Sequence, residues 1–191
     1  MHIFIGGIPA SGKSYLAKKV AEKTEAFHLD LDTLRKEMAN DPKLKYWVNF
    51  FFNQDEEEYL SQKEALYENH WNNIVKQSEA FWPTILNKAN EVKKDHESVI
   101  FEGVNILPHL AVRDFDFPGI FLLGESQNEI FERNKKNPRW GQTEELQRKE
   151  AELFFNCDRP RIKKEAQKHG YKTFDNFIEA EQEVFNLLKK Q

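Results

Sequence analysis

Short apolar runs alternate with amphipathic helical patterns along most of the chain. His2-Ile3-Phe4-Ile5 is apolar and rich in β-branched or aromatic residues, as a buried parallel strand should be. In the stretch that follows, Leu16, Val20 and Ala21 share one helical face. Phe27, Leu29 and Leu31 then alternate with His28, Asp30 and Asp32, which predicts a second strand ending in acidic residues, and a helix beginning at Thr33. Residues 98 to 104 and 119 to 124 predict a third and a fourth strand, and residues 171 to 176 a short fifth strand with its turn. The closing helix carries Phe177, Ala180, Val184, Leu187 and Leu188 on its apolar side. Strands that alternate with helices in this way predict an α/β domain built on a parallel sheet.

Two stretches depart from that rhythm. Residues 41 to 97 are too long for a simple crossover and hold Tyr46, Trp47, Phe50, Phe51, Phe52, Tyr59, Tyr67, Trp71, Phe81 and Trp82. Tyr67, Trp71, Ile74, Ser78, Phe81, Ile85, Ala89 and Val92 follow steps of three and four, which predicts a long amphipathic helix that Pro83 should kink or split. The segment reads as a helical insertion between the second and third strands. Its aromatics either form the core of that insertion or stack on a flat group of an acceptor, and Asp55-Glu56-Glu57-Glu58 reads as a solvated face.

Residues 127 to 170 predict basic helices, with Asn137-Pro138-Arg139-Trp140-Gly141 as the bend between them. A helical lid of this kind can fold over bound phosphates. Arg133 and Arg139 are the two cations placed to serve a transferring phosphoryl group. Arg148 and Lys149, interleaved with Glu144, Glu145, Glu150 and Glu152, read as a solvated face.

The 191 residues suffice for one domain with a real core, and a formal charge of −4 advertises neither nucleic acid nor an anionic membrane. Cys157 is the only cysteine, which excludes an intrachain disulfide and a cysteine cage for zinc and leaves it a small packing residue. The six histidines lack ligand spacing, no apolar run approaches the roughly 18 residues of a membrane span, and the first strand begins without a cleavable leader pattern. The expected setting is the reducing cytoplasm, away from membranes.

Candidate chemistry centres on Gly6-Gly7-Ile8-Pro9-Ala10-Ser11-Gly12-Lys13-Ser14, which fits the phosphate-loop pattern G-x-x-x-x-G-K-[ST] between a predicted strand and a predicted helix. Glycines let the backbone wrap around a polyphosphate and turn its N–H groups inward, and the helix adds its positive end. Gly7, Ile8, Pro9, Ala10, Ser11, Gly12, Lys13, Ser14 and Tyr15 are therefore assigned to nucleotide binding. Within them Lys13 reaches the β- and γ-phosphates and Ser14 ligates Mg²⁺.

Ligands of open α/β sheets gather at the carboxyl ends of strands, where Asp30, Asp32 and Glu102 stand. Period-two alternation places Asp30 and Asp32 on one side of an extended chain. Asp30 and Glu102 are candidates for the water shell of Mg²⁺, and Asp32 for accepting or orienting the proton of an acceptor hydroxyl. Arg35, one turn beyond Asp32, is a further catalytic candidate, the alternative being that Asp32 merely caps the helix and Arg35 is a surface residue. Asp116-Phe117-Pro118-Gly119 matches a GTPase-like D-x-x-G, but it precedes its strand and no base-reading N-K-x-D accompanies it.

The phosphate loop, Asp32 to Met38, Phe101 to Pro108 and Arg161 to Asn176 together resemble the small P-loop kinases of the adenylate-kinase-like group, most of all 2-phosphoglycerate kinase-type proteins. The resemblance implies a five-stranded parallel sheet of order 2-3-1-4-5 and Mg²⁺-dependent transfer of the ATP γ-phosphoryl group to a hydroxyl or acid group of a small molecule. The Asp32-x-x-Arg35 spacing is also similar to that of polynucleotide 5′-hydroxyl kinases, for which stacking aromatics would be sensible. A nucleotide or polynucleotide kinase, or an ATP-driven switch that transfers nothing, are the alternatives.

Overall fold

The computed structural model describes residues 1–53 and 64–189. The acidic run 55–58 and Tyr59 lie outside the described residues.

Five strands form the sheet: β1 (His2–Gly7), β2 (Phe27–Asp30), β3 (Val99–Glu102), β4 (Gly119–Leu122) and β5 (Lys172–Phe174). Their order is β2-β3-β1-β4-β5 and every pairing is parallel, as the resemblance implies. The register sets Asp30 opposite Glu102 and Ile5 opposite Glu102, so two carboxylates end neighbouring strands beside the start of the phosphate loop.

Strand side chains alternate, and each face of the sheet collects its own core. Ile3, Ile5, Ile100, Ile120 and Leu122 pack against Leu16, Ala17 and Val20 of α1 (Lys13–Thr24) and against Ala180, Val184 and Leu188 of α9 (Phe177–Lys189). Phe4, Phe101 and Phe121 face the larger core, built from α4 (Glu64–Asp95), α5 (Pro108–Asp114), α6 (Gln127–Lys136), α7 (Glu144–Leu153) and α8 (Arg159–Lys168). A π-helical turn, Phe154–Asp158, joins α7 to α8 and buries Phe154 and Cys157. Burial pushes the Cys157 thiol up to about 12, in keeping with an inert packing residue.

The structure corrects the expected second strand. It stops at Asp30, and Leu31–Leu34 forms a 3-10 turn that leads into α2 (Arg35–Met38). The cause is local: the Asp30 carboxylate accepts the Asp32 N–H at 2.9 Å and bends the chain, as aspartates do at turns. Asp30 and Asp32 therefore do not share one side of an extended strand.

Pro83 does not split the long helix either, since the 32-residue α4 runs through it unbroken. Proline inside a helix costs about 3 kcal/mol, whereas burying one large apolar side chain contributes about 1.5–3 kcal/mol. Phe81, Trp82 and Ile85, all at most 2% exposed, flank the proline and together outweigh it. Of the insertion's other aromatics, Phe51 is buried, while Tyr46 and Phe52 on and after α3 (Pro42–Asn49) are exposed. No helix among the described residues is long and apolar enough to cross a membrane.

Candidate active site

The phosphate loop leaves β1 through Gly7 at φ +132° and enters α1 through Gly12 at φ +100°. Only glycine fits the first position, because a Cβ there would stand 2.0 Å from the Leu122 carbonyl oxygen. Gly12 is the N-cap of α1 and supplies no side chain to the helix end. The first N–H groups of a helix have no partner within it, and they open here toward the cleft.

That cleft has a volume of about 540 Å³ and is lined by the loop, by Asp30 and Asp32, and by Arg133 and Arg139 from the far wall. Ser14 and Tyr15, both exposed, line it at the first turn of α1. Lys13 is buried, and its ammonium group donates to the Ile8 carbonyl at 2.7 Å. Burial lowers the Lys13 pKa to about 8, with Glu102, Asp32 and Asp30 pulling it up and Arg139 pushing it down.

The two arginines have different surroundings. Arg133 donates to the Ser11 carbonyl at 2.8 Å and the Ala10 carbonyl at 3.4 Å, and it pairs with Glu129. It thus braces the phosphate loop from behind Gly12, and its guanidinium lines the cleft. Arg139 stands 3.4 Å from the Asp32 carboxylate, with both side chains partly exposed.

Asp32 accepts the Val104 N–H at 3.2 Å. Burial pushes its carboxyl up, but Arg139, Arg35, Lys13 and the Val104 N–H together hold it below the ordinary aspartate value. This favours the ionised carboxylate, which can accept hydrogen bonds on both oxygens. Burial, Glu102 and Asp32 instead push Asp30 up to about 6, against the Asp32 N–H and His28.

Glu102 is 1% exposed, yet neither of its carboxylate oxygens accepts a hydrogen bond, and His28 Nε2 lies 3.8 Å away. A buried, unsatisfied carboxylate is expensive, and a hydrated cation is a natural partner for it. Among the described residues no three of His, Cys, Asp and Glu could hold a metal by themselves. Two carboxylates and one hydroxyl fit Mg²⁺, which takes few protein ligands and keeps water and substrate phosphates in its shell.

Arg35 does not line the cleft, although its charge acts on Asp32. It donates to Asn105 Oδ1 at 2.8 Å and Gln77 Oε1 at 3.4 Å, lies over the Phe81 ring at 5.3 Å, and keeps Nη1 buried without a partner. Asn105 also donates to Ser78 at 2.9 Å, and Gln77 to the Trp47 carbonyl at 2.8 Å. Sequence reasoning missed Asn105 and Gln77, which become partners of Arg35 only through tertiary packing.

The solvated reading of α7 holds for Arg148, which is exposed and pairs with Glu144 at 2.7 Å. It fails for Lys149 and Glu150, at 8% and 2% exposure. Glu150 lies three residues before the fully buried Leu153, so the helical period carries it into the interior. Asp116 of the rejected D-x-x-G pairs with Lys93 and lies outside the cleft lining.

A family model described as an AAA domain matches residues 2–99, just over half of the chain, and spans β1, the phosphate loop and the acidic turn. The chain belongs to this AAA domain family. No curated protein matches the sequence. Among solved structures it is similar to shikimate kinase from Bacteroides thetaiotaomicron, at 15% identity and a TM-score of 0.55, with 99% of this chain and 98% of that one covered. It is similar also to deoxyadenosine kinase from M. mycoides with bound dATP, at 16% identity and a TM-score of 0.54, with 99% of each chain covered. A gluconokinase from Sinorhizobium meliloti 1021 follows at 12% identity and a TM-score of 0.50, with 99% and 91% covered. At such identities these likenesses establish the fold of this AAA domain, which is that of the P-loop kinases.

Proposed function

We propose that this AAA domain protein is a cytoplasmic, Mg²⁺-dependent phosphotransferase that moves the γ-phosphoryl group of ATP to a hydroxyl or acid group of a small molecule. One observation carries the reading. A phosphate loop, an ionised and arginine-paired Asp32, and Asp30 line a single cleft, with Glu102 opposite Asp30 on the neighbouring strand. A carboxylate beside an arginine in that cleft would serve an acceptor hydroxyl or an attacking water, and the products separate transfer from a nucleotide-driven switch.

In this reading the loop N–H groups and Lys13 bind the phosphates, with Lys13 leaving the Ile8 carbonyl to do so. Asp32 accepts a hydrogen bond from the acceptor hydroxyl, aims its oxygen at phosphorus and takes the proton as the new bond forms. Arg139 holds Asp32 in place and donates to the phosphoryl oxygens as charge shifts toward the leaving diphosphate. Arg133 keeps the loop in shape and adds positive charge at the mouth, while Arg35 holds the acceptor-side wall through Asn105 and Gln77. Ser14, Asp30 and Glu102 would hold Mg²⁺ directly or through water, and the cation supplies neutralisation of the phosphate charge.

The resemblance makes 2-phosphoglycerate the first acceptor to test. Labelled ATP is incubated with the protein and a mixed metabolite extract, with and without oligonucleotides. Label on a small acceptor supports the proposal. Label on an oligonucleotide end transfers the reading to a polynucleotide kinase, and release of free phosphate alone makes the protein an ATP-driven switch.

A further inference from the structure

Arg139 contributes from a loop between α6 and α7, and a loop aims a side chain well only if its own backbone is held. Asn134, fully buried in the last turn of α6, accepts the Arg139 N–H on Oδ1 at 3.2 Å. Its Nδ2 donates to Glu150 Oε2 at 2.6 Å and to the Gln147 carbonyl at 3.4 Å. Glu150 Oε1 accepts the Gly141 N–H at 2.6 Å, the Trp140 N–H faces the same carboxylate, and Gln147 Nε2 donates to the Gly141 carbonyl at 3.2 Å. Between these bonds the Trp140 ring stacks on Phe51 at 4.4 Å and meets Phe154 edge-on at 5.5 Å.

Among the described residues no lysine or arginine forms an ion pair with Glu150. Burying a carboxylate without a cation is costly, and an apolar residue would pack this interior with less penalty. What the carboxylate does that an apolar residue cannot is collect N–H groups from Asn134, Trp140 and Gly141 at once. Those groups bracket Arg139 in sequence and fix the direction in which its guanidinium leaves the backbone.

We infer that Glu150, acting through Asn134 and the backbone of residues 139–141, is the positioning residue that aims Arg139 at Asp32 and the reaction centre. The inference rests on the phosphotransferase reading given above. It makes the arginine loop a fixed part of the site in place of a lid that swings freely.

The test is a double-mutant cycle with Glu150→Gln and Arg139→Ala in the full chain, reading kcat, KM for ATP and amide exchange. Glutamine keeps the shape but turns an NH₂ group toward donors that need an acceptor. The expected result is a turnover loss of about tenfold or more for Glu150→Gln, with KM for ATP changed by less than about threefold, as for an interaction realised in the transition state. In the Arg139→Ala background Glu150→Gln should cost nothing further, because its effect has lost its vehicle. A full additive loss in that background, or normal turnover in the single variant, overturns the inference.

If Glu150→Gln does not fold, Asn134→Ser is measured in the same cycle with the same expectations. If the wild-type protein transfers no phosphate, the function fails separately and amide exchange decides the positioning. Exchange at Arg139 and Gly141 should then accelerate about tenfold or more in Glu150→Gln, with the β1 amides unchanged, and equal exchange in both proteins refutes it.

Discussion

Replacing Lys13 with methionine should change how the stability of the nucleotide-free protein depends on pH, in a direction fixed by the lysine's surroundings. Lys13 is 3% exposed, and its ammonium group has one short hydrogen bond, to the Ile8 carbonyl. It gives up its proton near pH 8 in the folded protein, against 10.5 for an ordinary lysine. Below pH 8 both states carry the charge and folding bears the cost of burying it. Between about 8 and 10.5 the unfolded chain binds a proton that the folded chain has released, so stability rises with pH, and above 10.5 the relief is complete.

At about 1.4 kcal/mol per pH unit across that interval the relief amounts to about 3 kcal/mol. Methionine keeps most of the apolar stem and has no proton to lose. Urea unfolding of both proteins at pH 7.5, 9 and 10.5 reads the effect, since other lysines and the tyrosines titrate in both and cancel in the difference. Wild type should gain about 3 kcal/mol on the variant over this range. Parallel stability profiles would refute the claim that the phosphate-loop lysine is a buried charge kept at the expense of stability. The same variant should lose phosphoryl transfer by roughly a hundredfold or more, and near-normal turnover would remove Lys13 from the phosphate site.

Asp32→Asn should leave ATP affinity nearly unchanged and lower turnover, and loss of ATP binding with normal single-turnover chemistry would make Asp32 a metal-site residue instead. Arg139→Lys should slow turnover by about tenfold or more, because lysine lacks the planar donors that meet a carboxylate and phosphate oxygens together. Arg148→Lys, on the exposed side of α7, should be close to neutral, and equal mild effects at both positions would reduce the basic hairpin to scaffold. Gly7→Ala should destabilise the fold by about 3 kcal/mol or more, from the clash with the Leu122 carbonyl and the left-handed φ together. A loss below about 1 kcal/mol by chemical unfolding would mean that the loop has another conformation available.

What the sequence made legible was what depends on neighbours in the chain. Short strand-like runs between helical patterns located all five strands, and the glycine pattern located the loop that leaves β1 and lines the cleft, because each is a local pattern. The 3-10 turn at Leu31 was hidden by a competing local bond, in which the Asp30 side chain captures the Asp32 N–H where alternation alone called for strand. Pro83 misled for the opposite reason, since the packing of Phe81, Trp82 and Ile85 outweighs a local penalty.

At the site, Asp32, Arg139 and Lys13 come together as their chemistry suggested, although Asp32 and Arg139 are 107 residues apart. Asn105 and Gln77 carry no local signal, because their role is set by Arg35, which reaches them across the fold. Glu150 did leave a trace, a carboxylate on the buried face of α7, but the surrounding glutamates gave it the look of an exposed residue.

The central claim is that the cleft transfers a phosphoryl group and does not merely hydrolyse ATP. Its most direct test is the balance of products from γ-labelled ATP in Mg²⁺, with a small-molecule acceptor mixture, measured for wild type and Lys13→Met. ADP and phosphorylated acceptor should appear in equal amounts, with free phosphate a minor product, and both should vanish in the variant and on chelation of the metal. ADP formation matched by free phosphate, with no labelled acceptor, would contradict the account.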